Sequence, residues 1–140
     1  IAEGDMGIKE ITTKTGNMGM TTDGVYVDKG VKVAGYIDRY STGKSLVHIS
    51  PQYISGNVVD FRAVAGHELN HVYHNYYFKR AYVKVFSETV AYKYTASVYQ
   101  NVGRYQMALD VMNIAKSLGY SGAYPSSYNL GNTIKSMWLY

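Results

Sequence analysis

Residues 57–79 read NVVDFRAVAGHELNHVYHNYYFK, and the rest of the chain is interpreted outward from this stretch. It has no proline and a single glycine, Gly66, the two residue types that most weaken a helix interior. Asn57 is a favoured helix N-cap, and Asp60 follows three residues later, as in a capping box. The stretch therefore predicts one long α-helix over residues 58 to about 79.

The sequence after this stretch predicts two further helices. Ser87 is a candidate N-cap for a helix that runs to about Val102 and stops at Gly103. Another helix is predicted over Tyr105–Leu118 and closed by Gly119. Its predicted buried face carries apolar residues at helical spacing: Met107, Val111, Ala115 and Leu118.

The sequence before the long helix predicts β-structure. Candidate strands cover residues 8–13, 25–27, 31–33, 34–40 and 45–50, with turns at Asp28-Lys29-Gly30 and Ser41-Thr42-Gly43-Lys44. We expect a small antiparallel meander of three or four strands, followed by the three helices. This order of elements predicts an α+β fold class.

Length and composition suit one domain over residues 1–140. The chain is 46% hydrophobic and 17% charged, which allows a packed core and argues against disorder. It has no cysteine, so a metal would have to be held by His, Asp, Glu or backbone oxygen. No apolar run approaches the ~20 residues of a membrane helix, so membrane insertion is not expected.

The charge distribution bears on partners. The net charge is +4, but the basic residues are scattered, with one loose cluster at Lys79, Arg80 and Lys84. Domains that bind nucleic acid usually concentrate basic charge in a stripe, so we expect no nucleic-acid partner. Because the chain starts at Ile1 and residues 1–20 lack a signal-peptide pattern, we interpret it as a domain excised from a larger polypeptide.

The long helix contains His67-Glu68-Leu69-Asn70-His71, the HExxH pattern. Helical residues four apart differ by about 40° in azimuth and about 6 Å in rise, so two imidazoles can converge on one metal ion. Glu68 flanks them, where it can act on a water molecule as general base. The alternative is a pair of surface histidines beside a glutamate.

A catalytic zinc usually has three protein ligands and one water. His74 lies about 10 Å along the helix axis from His67, too far to join the same tetrahedron. Glu88, in the predicted first turn of the second helix, is the candidate third ligand, with Asp110 next. The alternative for Glu88 is an acidic side chain favoured by the helix dipole.

The four residues named so far carry a resemblance to a known family: His67, Glu68, His71 and Glu88. They look like a gluzincin, the group of zincin metallopeptidases whose third zinc ligand is a helix-borne glutamate. The resemblance covers roughly residues 44–100 and implies a zincin-like fold, one Zn²⁺ ion and a peptide or protein substrate. The metzincin pattern fails, because His74 and Tyr77 occupy its Gly and His positions.

The resemblance implies zinc-dependent endopeptidase activity with Glu68 as general base. Some gluzincins orient a ligand histidine with an Asp at the position of Tyr92, so the group that orients His67 or His71 stays open. Candidates are Asp110, a backbone carbonyl or a tyrosine hydroxyl. The candidate donors to the oxyanion are also tyrosines: Tyr92, Tyr94 and Tyr128.

Two further expectations concern how a peptide substrate binds and the kind of protein to which this domain belongs. Residues 46–50 occupy the place of the zincin edge strand, which could pair with an extended peptide. His48 is expected to be an exposed histidine on this strand, and the alternative is a catalytic role. The HELNH and SETVAYKY segments resemble the C-terminal peptidase domains of bacterial rearrangement-hotspot (YD-repeat) surface proteins, which implies a secreted or cell-surface, toxin-like domain. The alternative function is a non-catalytic zincin-fold binding domain.

Overall fold

The computed structural model describes residues 7–120, which form two compact units that divide between Tyr82 and Val83. The strands are β1 (Ile8–Thr12), β2 (Gly19–Met20), β3 (Tyr26–Asp28), β4 (Val31–Val33), β5 (Gly35–Arg39) and β6 (Ser45–Ile49). The helices are α1 (Pro51–Ser55), α2 (Val58–Phe78), α3 (Lys84–Asn101) and α4 (Tyr105–Ser117), with a 3-10 turn at Lys79–Ala81. The predicted α+β class is confirmed.

The strands form two three-stranded sheets, so the prediction of one meander was wrong. One sheet has the order β1-β6-β5, with β6 antiparallel to β5 and parallel to β1. The other is the antiparallel β2-β3-β4. Only Ala34 separates β4 from β5, which is too short for a hairpin turn, so the chain passes directly from one sheet into the other.

The predicted hairpin between β3 and β4 is confirmed. Asp28 pairs with Val31, which leaves a two-residue turn of Lys29 and Gly30. Their φ angles are 51° and 81°, the left-handed pair that a type I′ turn requires. Glycine adopts such an angle at no steric cost, so Gly30 supports this turn.

Strand β6 is the central strand of its sheet, so the prediction of an edge strand over residues 46–50 was wrong. It is hydrogen-bonded to β1 on one side and β5 on the other, and a peptide cannot add to it. Its parallel partner β1 is more than 30 residues earlier in the chain, and local sequence patterns do not report such pairing. The outer strands of this sheet are β1 and β5.

Helix α2 packs on this sheet through an apolar core. Val47 and Ile49 of β6 meet Val64 and Val72 of α2, and all four are buried. At the N-terminus of α2, the Asn57 side chain accepts a hydrogen bond from the Val59 amide at 2.7 Å, as the sequence predicted. Core and cap together fix the position of α2 against β5 and β6.

Pro51 begins a short helix that the sequence analysis did not predict. Proline is favoured at the first position of a helix because its missing N–H needs no partner there. Helix α1 is five residues long and is followed by Gly56. It leads the chain from β6 into α2.

In the second unit, α3 and α4 pack against each other, and two predictions needed correction. Ser87 is not an N-cap: Val83 precedes the helix in extended conformation, and the Ser87 amide already donates to the Val83 carbonyl. The buried face of α4 is rotated toward Ala108, so Met107 and Leu118 are exposed while Val111 stays buried. Within residues 7–120, no helix combines the length and apolarity needed to span a bilayer.

His48 is buried, so the expectation of an exposed strand histidine was wrong. Its ring nitrogens are within hydrogen-bond distance of two oxygens: Nδ1 lies 2.8 Å from the Lys14 carbonyl and Nε2 lies 2.8 Å from the Asp38 carboxylate. It also stacks on Tyr36 with ring centroids 4.1 Å apart. These partners come from the loop after β1 and from β5, so His48 ties three segments of the first unit together.

We expect His48→Leu to destabilise the protein by about 2–4 kcal/mol, because two hydrogen bonds are lost and the Lys14 carbonyl loses its partner. His48→Gln, which keeps a donor, should cost less. Denaturant unfolding followed by circular dichroism measures both differences. Equal stability of the parent and the leucine variant would contradict this account of the buried ring.

Candidate metal centre

Helix α2 presents His67 and His71 on one face, as the HExxH spacing predicted. Their ring centroids are 5.0 Å apart and the rings are inclined at 73°. His71 is buried and His67 is half-buried, so these are not a pair of surface histidines. The pair lies in the middle of a 21-residue helix, which holds both backbones rigidly.

Glu88 completes a group of three possible metal ligands. One ligand atom from each of His67, His71 and Glu88 lies within 4.8 Å of the other two. Glu88 is the fifth residue of α3 rather than part of its first turn, which weakens the helix-dipole alternative for this side chain. Within the described residues, His74 and Asp110 do not belong to this group.

The donor set fits zinc. Two imidazoles and one carboxylate are common ligands of this ion, and three of them leave a fourth tetrahedral position for water. With ligand distances of 2.0–2.2 Å, neighbouring ligand atoms in a tetrahedron lie about 3.4 Å apart. The ligand atoms of His67, His71 and Glu88 lie within 4.8 Å of one another, a separation of the same order.

Glu68 is buried beside the histidines, against β5. A Cβ atom added at Gly35 would lie 3.2 Å from Glu68 Cγ, 3.3 Å from Val64 Cγ1 and only 2.8 Å from the His48 carbonyl oxygen. Gly35 therefore allows β5 to approach α2 at the position of Glu68. An isolated glycine at the start of a predicted strand was a signal of such an approach, and the sequence analysis did not use it.

Tyr82 is a residue of this site that the sequence analysis missed. Its hydroxyl lies 3.2 Å from Nδ1 of His71. The guanidinium of Arg39 lies over the Tyr82 ring, with Cζ 4.0 Å from the ring centroid. A tyrosine hydroxyl was among the groups considered for orienting a ligand histidine, and this contact identifies one for His71.

The other residues considered for supporting roles have different surroundings. Asp110 is exposed and accepts a hydrogen bond from Gln106 at 2.9 Å. Tyr92 stacks with Tyr120 within the second unit, with ring centroids 6.0 Å apart. Tyr94 is half-buried on α3, and Tyr128 lies outside the described residues. None of these contacts assigns an oxyanion donor.

His74, one turn beyond His71, is buried, and its surroundings disfavour the charged ring. Burial and the neighbouring His71 lower the pKa of His74 from 6.5 to about 4. Because this pKa is lower in the folded state than in the unfolded state, protons bind preferentially to the unfolded chain. The contribution of His74 to stability is therefore complete above pH 6.5 and is lost as the pH falls toward 4.

We expect His74→Gln to reduce the acid sensitivity of the metal-free protein. The pKa shift of His74 corresponds to about 3 kcal/mol of folding stability. The parent loses this stability between pH 6.5 and 4, whereas the variant does not. Denaturant midpoints of both proteins at pH 7.5, 6, 5 and 4 give the comparison. Parallel pH profiles for the two proteins would show that His74 does not control this loss.

Comparison of the chain with protein-family models, curated proteins and solved structures gives no match. The comparisons therefore give no family for this chain. Three features of the chain itself bear on its function: the HExxH motif, the approach of His67, His71 and Glu88 to one another, and the position of Glu68.

Proposed function

We propose that this chain is a zinc-dependent endopeptidase of the gluzincin type. One observation carries the proposal: ligand atoms of His67, His71 and Glu88 lie within 4.8 Å of one another, and Glu68 is adjacent to His67 on the same helix. Secretion and descent from a larger YD-repeat polypeptide are part of the proposal, supported only by the resemblance of the HELNH and SETVAYKY segments.

The number of ligands favours a catalytic over a structural metal. Closed structural zinc sites generally have four protein ligands, and many use cysteine. The group found in residues 7–120 has three members, and the chain has no cysteine. Three ligands leave one coordination position for the reacting molecule, as a hydrolytic site requires.

The residues have distinct roles in this proposal. His67, His71 and Glu88 would hold the cation. When bound there, zinc would supply a coordinated water of lowered pKa and polarisation of the scissile carbonyl. The Glu68 carboxylate takes the proton of the attacking water and delivers it to the leaving amine nitrogen. Its burial against Gly35 restricts the side chain, which favours one productive orientation.

Strand β5 replaces residues 46–50 as the proposed binding edge for the peptide. It pairs with β6 on one side and is an outer strand of its sheet. Its first residue, Gly35, lies against Glu68. An extended peptide that pairs with the outer edge of β5 would therefore run past the general base.

The test uses the 140-residue chain with zinc and mixtures of unstructured peptides. We expect zinc to bind in a 1:1 ratio and peptides to be cleaved at internal bonds, as detected by mass spectrometry. A chelator should stop cleavage and added zinc should restore it. A protein that binds zinc at these residues and cleaves no peptide or protein would support the alternative, a non-catalytic binding domain.

A further inference from the structure

We infer that Tyr82 is a positioning residue for His71, and that Arg39 holds Tyr82 in place. This inference rests on the proposed metal site and adds to it the group that orients one ligand. All three residues belong to the first unit, and each contact is short: 3.2 Å from the Tyr82 hydroxyl to His71 Nδ1, and 4.0 Å from Arg39 Cζ to the Tyr82 ring centroid.

The backbone after α2 brings Tyr82 back to His71. Lys79 ends α2 with φ at 48°, a left-handed conformation that turns the chain out of the helix. The 3-10 turn Lys79–Ala81 follows, and Tyr82 itself is extended, with φ at −59° and ψ at 127°. A residue 11 positions after His71 in sequence is thereby in hydrogen-bond range of its ring.

The pairing of β5 explains why Arg39 can reach Tyr82. Side chains of a strand alternate between its two faces, so Arg39 shares a face with Gly35 and Ile37. Ile37 packs on the core beneath α2, and Gly35 lies against Glu68. Arg39 therefore points to the α2 side of the sheet, where its guanidinium stacks on the Tyr82 ring.

The hydrogen bond selects which nitrogen of His71 can bind a cation. A histidine that coordinates through Nε2 carries its proton on Nδ1, and this N–H needs an acceptor. The Tyr82 oxygen lies at the right distance to accept it. The contact then fixes both the tautomer and the rotation of the ring, as groups that are hydrogen-bonded to metal ligands generally do.

The first test compares Tyr82→Phe with a matched control, Tyr40→Phe. Tyr40 also carries a cation over its ring, the Lys9 ammonium at 4.6 Å, so both variants remove a hydroxyl from a similar pair. Zinc affinity is measured by competition with a chelating dye. We expect roughly 10–100-fold weaker zinc binding for Tyr82→Phe and no change for Tyr40→Phe.

A spectroscopic measurement on zinc-loaded protein reports the hydrogen bond itself. The Nδ1 proton of His71 should exchange slowly with water in the parent and much faster in Tyr82→Phe. Thermal unfolding of both variants shows whether they are folded. A merely structural role for Tyr82 would change the unfolding temperature and leave this proton and the zinc affinity as in the parent, which would overturn the inference.

The contribution of Arg39 is tested by a double-mutant cycle. Arg39→Gln should weaken zinc binding by about 2–5-fold, and this effect should vanish when Tyr82 is already Phe. Lys9→Gln is the matched control and should have no effect on zinc affinity. An Arg39→Gln effect that persists in the Tyr82→Phe background would overturn the assignment of Arg39 as acting through Tyr82.

The outcomes separate this inference from the function on which it rests. A parent that fails to bind zinc overturns the proposed function, and the inference with it. A parent that binds zinc and cleaves peptides, with Tyr82→Phe unchanged in zinc affinity, overturns the inference alone. Unchanged affinity with a lower kcat would assign Tyr82 to substrate contact instead of ligand positioning.

Discussion

Glu68→Gln is expected to lower kcat/KM for peptide cleavage by about 10²–10⁴-fold while zinc affinity stays at the parental level. Glutamine has the same shape and can occupy the buried position against Gly35, but it cannot accept the proton of the attacking water. Because the metal ligands are unchanged, kcat/KM should fall while zinc affinity does not. Steady-state cleavage of a fluorogenic peptide measures kcat/KM, and zinc titration measures the affinity.

Glu10→Gln is the matched control for this variant. Glu10 is exposed on β1, and the same substitution there should leave both cleavage and zinc affinity unaltered. Parental cleavage rates in Glu68→Gln would exclude this carboxylate as the general base. A loss of zinc together with activity would instead indicate that Glu68 takes part in holding the cation.

The helices were largely predictable because their signals are local. The N-cap Asn57 and the absence of proline located α2, and the HExxH spacing lies entirely within that helix. Gly103 and Gly119, both left-handed, marked the ends of α3 and α4. Errors arose where a residue has two possible roles: Ser87 has the chemistry of an N-cap but lies inside α3, and Pro51 both follows the last strand and begins helix α1.

The pairing of β1 with β6 and the surroundings of His48 were not predictable, because the partners are distant in sequence. The parallel pairing of β1 with β6 joins residues 36 or 37 positions apart, and the Lys14 carbonyl that contacts His48 is 34 residues away. A strand pattern indicates which residues are apolar but not which strand lies beside it. An edge strand was therefore predicted over residues 46–50, although β6 is central in its sheet and the outer strands described are β1 and β5.

In the candidate site, too, the residues of a local motif were predictable and a contact that depends on the fold was not. His67, Glu68 and His71 could be predicted because they belong to one short motif. Glu88 could be predicted as the third metal ligand because few acidic or histidine side chains follow His71 in the sequence. Tyr82 was missed because its approach to His71 depends on the left-handed Lys79 and the 3-10 turn, neither of which has a clear sequence signal. A lysine is an unusual choice for a left-handed position.

The second large effect is expected for Glu88→Ala. Apparent zinc-binding free energies of about 10–16 kcal/mol in four-ligand sites correspond to roughly 3 kcal/mol per ligand. Loss of one ligand should therefore weaken zinc binding by about 10²-fold, and cleavage at limiting zinc should fall with it. Zinc affinity is measured by chelator competition, and cleavage is measured at both limiting and saturating zinc.

Asp110→Ala is the matched control, since Asp110 was the other acidic candidate for third ligand. It is exposed on α4 and contacts Gln106, so its removal should leave zinc affinity unchanged. The reverse result, with Glu88→Ala at parental affinity and Asp110→Ala weakened, would transfer the third ligand to Asp110.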